Sequence, residues 1–258
     1  METFPAEFRD LLRGRQRERS QAENSLREGG EHVAWFPHAL RPDATKMGVT
    51  LLERHMQPYL RTESGPIPPT SITSMRSNYT ERLSKTLRNR SFSLNDERSK
   101  TFAAASRIGL PQMMGSSSLR RFAEAVSGYQ LEAEPGLQVI CYRPGDYVGP
   151  HNDHHPEEPH LRHGYVDLQI TLCNSGVGRQ YLLYENNGYF NAVVNVAVDS
   201  GVSVSLLPFW HQVTPMEAKR GREQMARRWL LLVSFVIDWP SEKRKSRALG
   251  FPLRKAML

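Results

Sequence analysis

The chain changes its hydrophobic rhythm near its middle. In the first half apolar residues recur at helical spacing between long polar stretches. The clearest case is Leu119, Phe122, Ala123 and Val126, which fall at i, i+3, i+4 and i+7. Serines at 116–118 are available as N-cap and Gly128 supplies a stop, so the pattern predicts a helix there with one buried stripe. A weaker helix is expected from about Asp43 to Leu60, limited by Pro58, and the segment Ser64-Gly65-Pro66-Ile67-Pro68-Pro69 reads as a loop. The serine- and arginine-rich stretch from Ser71 to Lys100 reads as a lid or an insert.

After Pro135 short runs of β-branched and aromatic residues alternate with Gly, Pro, Asn and Asp, as in an antiparallel all-β unit. Candidate strands are Leu137–Tyr142, Tyr147–His151, Tyr165–Leu172, Arg179–Glu185, Ala192–Val198, Val202–Leu206, Gln212–Pro215 and Arg228–Ile237. Turn signals at 143–146, 174–176, 186–188 and 199–201 punctuate them. Eight strands suit a jelly roll. The expectation is an α+β protein, with a helical and loop support region over 1–134, a β core over 135–240 and a tail over 241–258.

A chain of 258 residues that is 39% hydrophobic can bury a full core. Its two cysteines, Cys141 and Cys173, are too few for a disulfide framework, and the N-terminus lacks the apolar run of a signal peptide. A cytoplasmic, reducing setting is the expectation. No apolar run approaches the ~18 residues that span a bilayer. The net charge of +7 sits mostly in the tail, where six basic residues face one acid, so it argues only weakly for nucleic acid.

The candidate chemistry lies in the β-rich half. In His151-Asn152-Asp153, strand spacing would put an imidazole and a carboxylate on one face. His211 follows 60 positions on, and Arg228 opens the last apolar run 17 positions later. Alone, the His-x-Asp pair is common by chance. Two histidines and one carboxylate, however, can occupy one face of an octahedral iron(II) and leave the opposite positions for an oxidant and a bidentate cosubstrate. A guanidinium at the head of an apolar strand needs an anionic partner if it faces inward, and its planar fork suits a carboxylate.

Four blocks in order then carry a resemblance: Cys141-Tyr142-Arg143-Pro144-Gly145-Asp146-Tyr147, His151-Asn152-Asp153, Pro208-Phe209-Trp210-His211-Gln212-Val213-Thr214-Pro215, and Arg228-Trp229-Leu230-Leu231-Leu232-Val233-Ser234-Phe235. They resemble the iron(II)- and 2-oxoglutarate-dependent dioxygenases, in particular the prolyl hydroxylase-like branch. The likeness spans Leu137 to Asp238, about two-fifths of the chain. It implies a double-stranded β-helix core buttressed by the N-terminal helices. It further implies His151, Asp153 and His211 as metal ligands, Arg228 as the anchor of the 2-oxoglutarate carboxylate, and Tyr142 as a phenol sharing that carboxylate. The cofactors implied are iron(II), 2-oxoglutarate and molecular oxygen, with ascorbate as an accessory reductant. The reaction implied is hydroxylation of an unactivated carbon, with succinate and carbon dioxide released.

Alternatives remain at several positions. Arg227 competes with Arg228 as anchor, because strand alternation puts the two on opposite faces. The stretch Met216–Ala226 is longer than the family usually has and could cover the site. The usual glycine pair is missing from Gly176-Val177-Gly178-Arg179-Gln180. Five of the nine histidines lie between His151 and His163, a segment that could hold zinc, although without cysteine such a set is atypical of a structural site. It reads better as a loop near the substrate entrance, with His155, Arg162 and Trp210 as candidate substrate contacts. Asp153 argues against halogenation, whose enzymes leave that position to a small residue. Nucleic-acid demethylases carry a second arginine where Ser234 stands. The expected partner is an amino-acid residue in a peptide or protein, or else a free amino acid or small natural product; a non-catalytic binding module on the same barrel is the third reading.

Overall fold

The computed structural model describes residues 2–13, 26, 31–67, 86–153, 164–186 and 188–238. The histidine-rich segment after Asp153, with His155 and Arg162, lies outside these residues, as do 71–85 of the polar stretch and the basic tail.

Thirteen strands and four α-helices are described. Strands β1 (Val33–Pro37), β2 (Arg61–Pro66) and β3 (Thr86–Ser93) come from the first third of the chain. Helices α1 (Pro42–His55), α2 (Lys100–Arg107), α3 (Leu110–Met114) and α4 (Ser117–Ser127) are interspersed with and follow them. Then come β4 (Gly136–Tyr142), β5 (Tyr147–His151), β6 (Tyr165–Cys173), β7 (Val177–Arg179), β8 (Tyr181–Asn186) and β9 (Tyr189–Asn195). The last four are β10 (Ser200–Leu207), β11 (His211–Val213), β12 (Glu217–Ala218) and β13 (Arg228–Val236).

Eleven strands form one antiparallel sheet in the order β1-β10-β6-β13-β4-β3-β5-β11-β8-β9, with β2 paired to β3 at its side. Its two halves, β10-β6-β13-β4 and β5-β11-β8-β9, are the facing sheets of a double-stranded β-helix. Strand β3 joins them by pairing Arg90–Ser93 with β4 and Leu87–Arg88 with β5. The expected jelly roll is therefore the fold observed.

Strand alternation sorts the side chains of the larger half. On β13, Trp229, Leu231, Val233 and Phe235 join the core under the helices; on β6, Val166, Leu168, Ile170 and Leu172 do the same. The intervening residues Arg228, Leu230, Leu232, Asp167 and Gln169 face a cavity between the halves. Helix α4 forms as its pattern predicts: Ser116 Oγ accepts from the Leu119 N–H at 3.3 Å, Gly128 ends it at φ 74, and Leu119, Phe122, Ala123 and Val126 are buried. Helix α1 lies over β6, close enough that a Cβ at Gly48 would meet Leu172 Cδ1 at 3.0 Å.

Several expectations need correction. The first half is not only helix and loop, because β1 and β3 complete the core sheet. Segment 64–66, read as loop, ends β2, where Gly65 and Pro66 pair with Leu87 and Thr86. Segment Arg179–Glu185 is two strands that break at Gln180, since Gln180 turns its side chain into the interior. The strand placed at Ala192–Val198 runs from Tyr189 to Asn195. Both cysteines are free and buried, and burial pushes each thiol up to about 12. Among the described residues no helix is long and apolar enough to cross a membrane.

Candidate metal and cosubstrate site

Three side chains converge at the mouth of the cavity. His151 ends β5 and His211 opens β11, and antiparallel pairing sets them opposite one another with ring centroids 4.2 Å apart. The ligand atoms of His151, Asp153 and His211 all lie within 4.8 Å of one another. Asp153 Oδ2 is 3.5 Å from Nε2 of each histidine.

Each imidazole is aimed by the same device. His151 Nδ1–H donates to the Gly149 carbonyl at 2.8 Å, and His211 Nδ1–H donates to the Phe209 carbonyl at 3.0 Å. Donation from Nδ1 leaves both Nε2 lone pairs pointing toward Asp153, the arrangement that ligating histidines use. Burial and the adjacent His151 hold the His211 imidazole down to about 4, against the opposing pull of Asp153 and the Phe209 carbonyl. His211 is thus a neutral donor at neutral pH.

Asp153 does not arrive by strand alternation, as the His-x-Asp spacing suggested. The strand stops at His151, Asn152 is buried, and Asp153 sits at φ 49, a left-handed conformation that few residues other than glycine adopt and that aspartate tolerates better than most. The Tyr165 hydroxyl donates to the Asp153 carbonyl at 3.1 Å and pins the turn.

Arg228 lies at the far end of the cavity and is 2% exposed. Its Nη1 donates to Gln180 Oε1 at 3.1 Å and its Nη2 to Thr171 Oγ1 at 3.2 Å; the guanidinium stands 4.9 Å from the Tyr142 ring centroid. Its Nε has no partner, and among the described residues no carboxylate pairs with it. A buried cation satisfied only by neutral groups is the signature of a site that takes an anion. Burial pushes the Tyr142 phenol up to about 12, so it stays a proton donor beside that site. Arg227, one residue away, instead turns its Nη1 to the Ala226 carbonyl and does not line the cavity.

One cavity joins these ends, lined between them by Ile140, Val148, Val213, Leu230 and Leu232. Met216–Ala226 does not roof the metal corner. Met216 and Ala226 pack with Tyr142, Cys173 and Leu230, and β12 pairs with β7, so this excursion seals the Arg228 end. Gly176 and Gly178 make that approach possible: a Cβ on Gly178 would meet the Glu217 carbonyl oxygen at 2.9 Å. Trp210 is half-buried and does not line the cavity.

Sequence reading missed Gln180, Thr171 and Asp167. Its signal was present in β6, where Asp167, Gln169 and Thr171 put polar groups at every second position of a strand whose other residues are apolar.

This double-stranded β-helix fold, which carries a histidine–aspartate–histidine corner here, is shared with solved structures named as 2-oxoglutarate-dependent oxygenases. An oxidoreductase of the 2OG-Fe(II) oxygenase family from Burkholderia pseudomallei aligns with a TM-score of 0.55 and 14% identity, over 84% of this chain and 89% of that one. A non-heme alpha-ketoglutarate-dependent carbocyclase from nogalamycin biosynthesis aligns with a TM-score of 0.50 and 10% identity, over 94% and 93%. A prolyl-4-hydroxylase from Pseudomonas putida aligns with a TM-score of 0.45 and 15% identity, over 84% and 98%. At these identities the likeness is one of fold. No family model matches the sequence, and no curated protein is similar to it in sequence.

Proposed function

We propose that the protein is an iron(II)- and 2-oxoglutarate-dependent dioxygenase that hydroxylates an unactivated C–H bond. The observation that carries this reading is the pairing, in one cavity, of the His151–Asp153–His211 corner with a buried Arg228 that no carboxylate among the described residues neutralises. The donor set suits iron(II): two imidazoles and one carboxylate, with no thiolate, would leave one face of an octahedron for other ligands. Arg228 would hold the distal carboxylate of 2-oxoglutarate through its fork, with Tyr142 donating beside it. Iron(II) held there with 2-oxoglutarate and oxygen supplies oxidative decarboxylation to succinate and carbon dioxide, which drives the hydroxylation.

The chain's own contribution is placement and exclusion of water. Gly149 and Phe209 fix the imidazole orientations, Gln180 and Thr171 fix Arg228, and the β7–β12 pair closes the cosubstrate end. Ascorbate, which keeps iron ferrous, belongs in the assay. The four sequence blocks favour an amino-acid residue in a peptide or protein as substrate. A free amino acid or small natural product, hydroxylated or desaturated, is the second reading, favoured by the fold match to the carbocyclase.

The test is anaerobic titration of the iron(II)-loaded protein with 2-oxoglutarate. A visible charge-transfer band is expected in the wild type, and its midpoint should move at least about tenfold higher in Arg228→Ala. Absence of the band in the wild type would reject the assignment.

A further inference from the structure

The cavity carries a second buried charge, opposite in sign to Arg228 and at its other end. On β6, Thr171 bonds Arg228, and Asp167 lies four residues back along the same face, ~13 Å away at about 3.3 Å per residue. The Tyr165–Asp153 hydrogen bond ties the metal corner to the Asp167 end of β6. A cosubstrate gripped by Arg228 therefore leaves Asp167 on the side from which substrate must come.

Asp167 is 5% exposed and lines the cavity. Ser234 Oγ donates to its Oδ1 at 2.6 Å, and no lysine, arginine or histidine among the described residues pairs with it. Burial, reinforced by Asp153 and opposed by Ser234, holds its carboxyl up to about 7. A carboxylate in this position is costly to the empty protein. A purely structural role does not account for it: β6 and β13 are already paired continuously from Cys173↔Arg228 to Tyr165↔Val236, and a neutral asparagine could accept from Ser234 without a charge to bury.

We infer that Asp167 is a specificity-determining residue that receives a cationic nitrogen of the substrate, an ammonium or guanidinium such as a lysyl or arginyl side chain bears. The inference rests on the dioxygenase reading of the same cavity and narrows its substrate class. Ser234 orients the carboxylate, Gln169 flanks it on the same face, and the incoming cation supplies the counter-charge that the described residues do not. Neutral analogues of the same shape leave Asp167 unpaired and are rejected, as sites with buried charged acceptors reject ligands that lack the donor.

The test uses the full chain loaded with manganese(II) and 2-oxoglutarate, and calorimetric titration with matched probes. Nα-acetyl-argininamide is compared with Nα-acetyl-citrullinamide, Nα-acetyl-lysinamide with Nα-acetyl-norleucinamide, and agmatine is included as a cation without an amino-acid backbone. At least one cationic probe should bind about tenfold or more tighter than its neutral counterpart, and Asp167→Asn should reduce that preference to within about twofold. Asp167→Glu, which keeps the charge, should restore part of it. Thermal unfolding confirms that each variant is folded. Equal binding of cationic and neutral probes, no binding of any cation, or a preference that survives Asp167→Asn would each overturn the inference. The iron(II)–2-oxoglutarate band is measured separately, so a band without cation preference rejects this inference alone, whereas loss of the band rejects the dioxygenase reading.

Discussion

Gln180 is 0% exposed and makes three hydrogen bonds at the Arg228 end of the cavity. Its amide donates to the Asp146 and Thr214 carbonyls at 3.2 and 2.9 Å while its oxygen accepts from Arg228. Replacing it with leucine frees Arg228 to turn and takes the Gln180 donor from the Thr214 carbonyl and from the Asp146 carbonyl, which keeps the Met216 N–H at 2.9 Å. Gln180→Leu is expected to raise the KM for 2-oxoglutarate about tenfold or more with a smaller change in kcat, and to cost about 1–3 kcal/mol of stability. Steady-state kinetics and chemical denaturation check the two parts. Asp167 makes the opposite stability prediction. Its pKa rises from 3.8 to about 7 on folding, so between those values the folded protein keeps a proton that the unfolded chain has released. Stability therefore falls as pH rises from about 4 to about 7, and the full cost persists above. In metal-free protein Asp167→Asn should melt higher than wild type above pH 7, with the two curves converging below about pH 4. A constant offset at every pH would contradict this account.

At the scale of elements, the His151–Asp153–His211 corner depends on strands ending in the right places. Strand β5 stops at His151 and β11 starts at His211, and the left-handed turn at Asp153 swings the carboxylate back between them. The Arg228 end depends on the short β7–β12 pair, whose close approach requires Gly178. Gly178→Ala would place a methyl 2.9–3.1 Å from the Glu217 and Ala218 backbone, too near for the pair to keep its spacing. The variant should bind 2-oxoglutarate more weakly and exchange the amide hydrogens around Val177 and Lys219 faster, while the core strands β6 and β13 keep their protection. Hydrogen exchange resolves that difference.

For the whole molecule, the partly buried His151–Asp153–His211 corner and the buried Arg228 guanidinium are polar groups that the fold supports at a cost in the absence of ligand. Binding to the folded state alone must stabilise it, by about 2.7 kcal/mol at a ligand concentration of 100 Kd. Manganese(II) with 2-oxoglutarate is therefore expected to raise the melting temperature by several degrees, a chelator should reverse the shift, and His211→Ala should abolish it. Differential scanning calorimetry reads all three.

Much of this was legible from local pattern. The α4 helix, the eight core strands and the jelly-roll class follow from periodicity and turn residues, because burial on one face of an element writes itself into residue order. His151, His211 and Arg228 could be picked out as chemically out of place in their strands, and Asp153 by its spacing from His151. Strands β1 and β3 could not: their sequences are ordinary, and only pairing with β10, β4 and β5 makes them strands, since β structure is settled by its neighbours more than by its own residues. The choice of Arg228 over Arg227 needed the register of β13, which fixes which parity faces the cavity. The left-handed turn at Asp153, the role of Gln180 and the exposure of Asp167 to the cavity without a counter-ion were likewise decided by tertiary structure. Each depends on what stands across the cavity from a residue, and residue order does not record that.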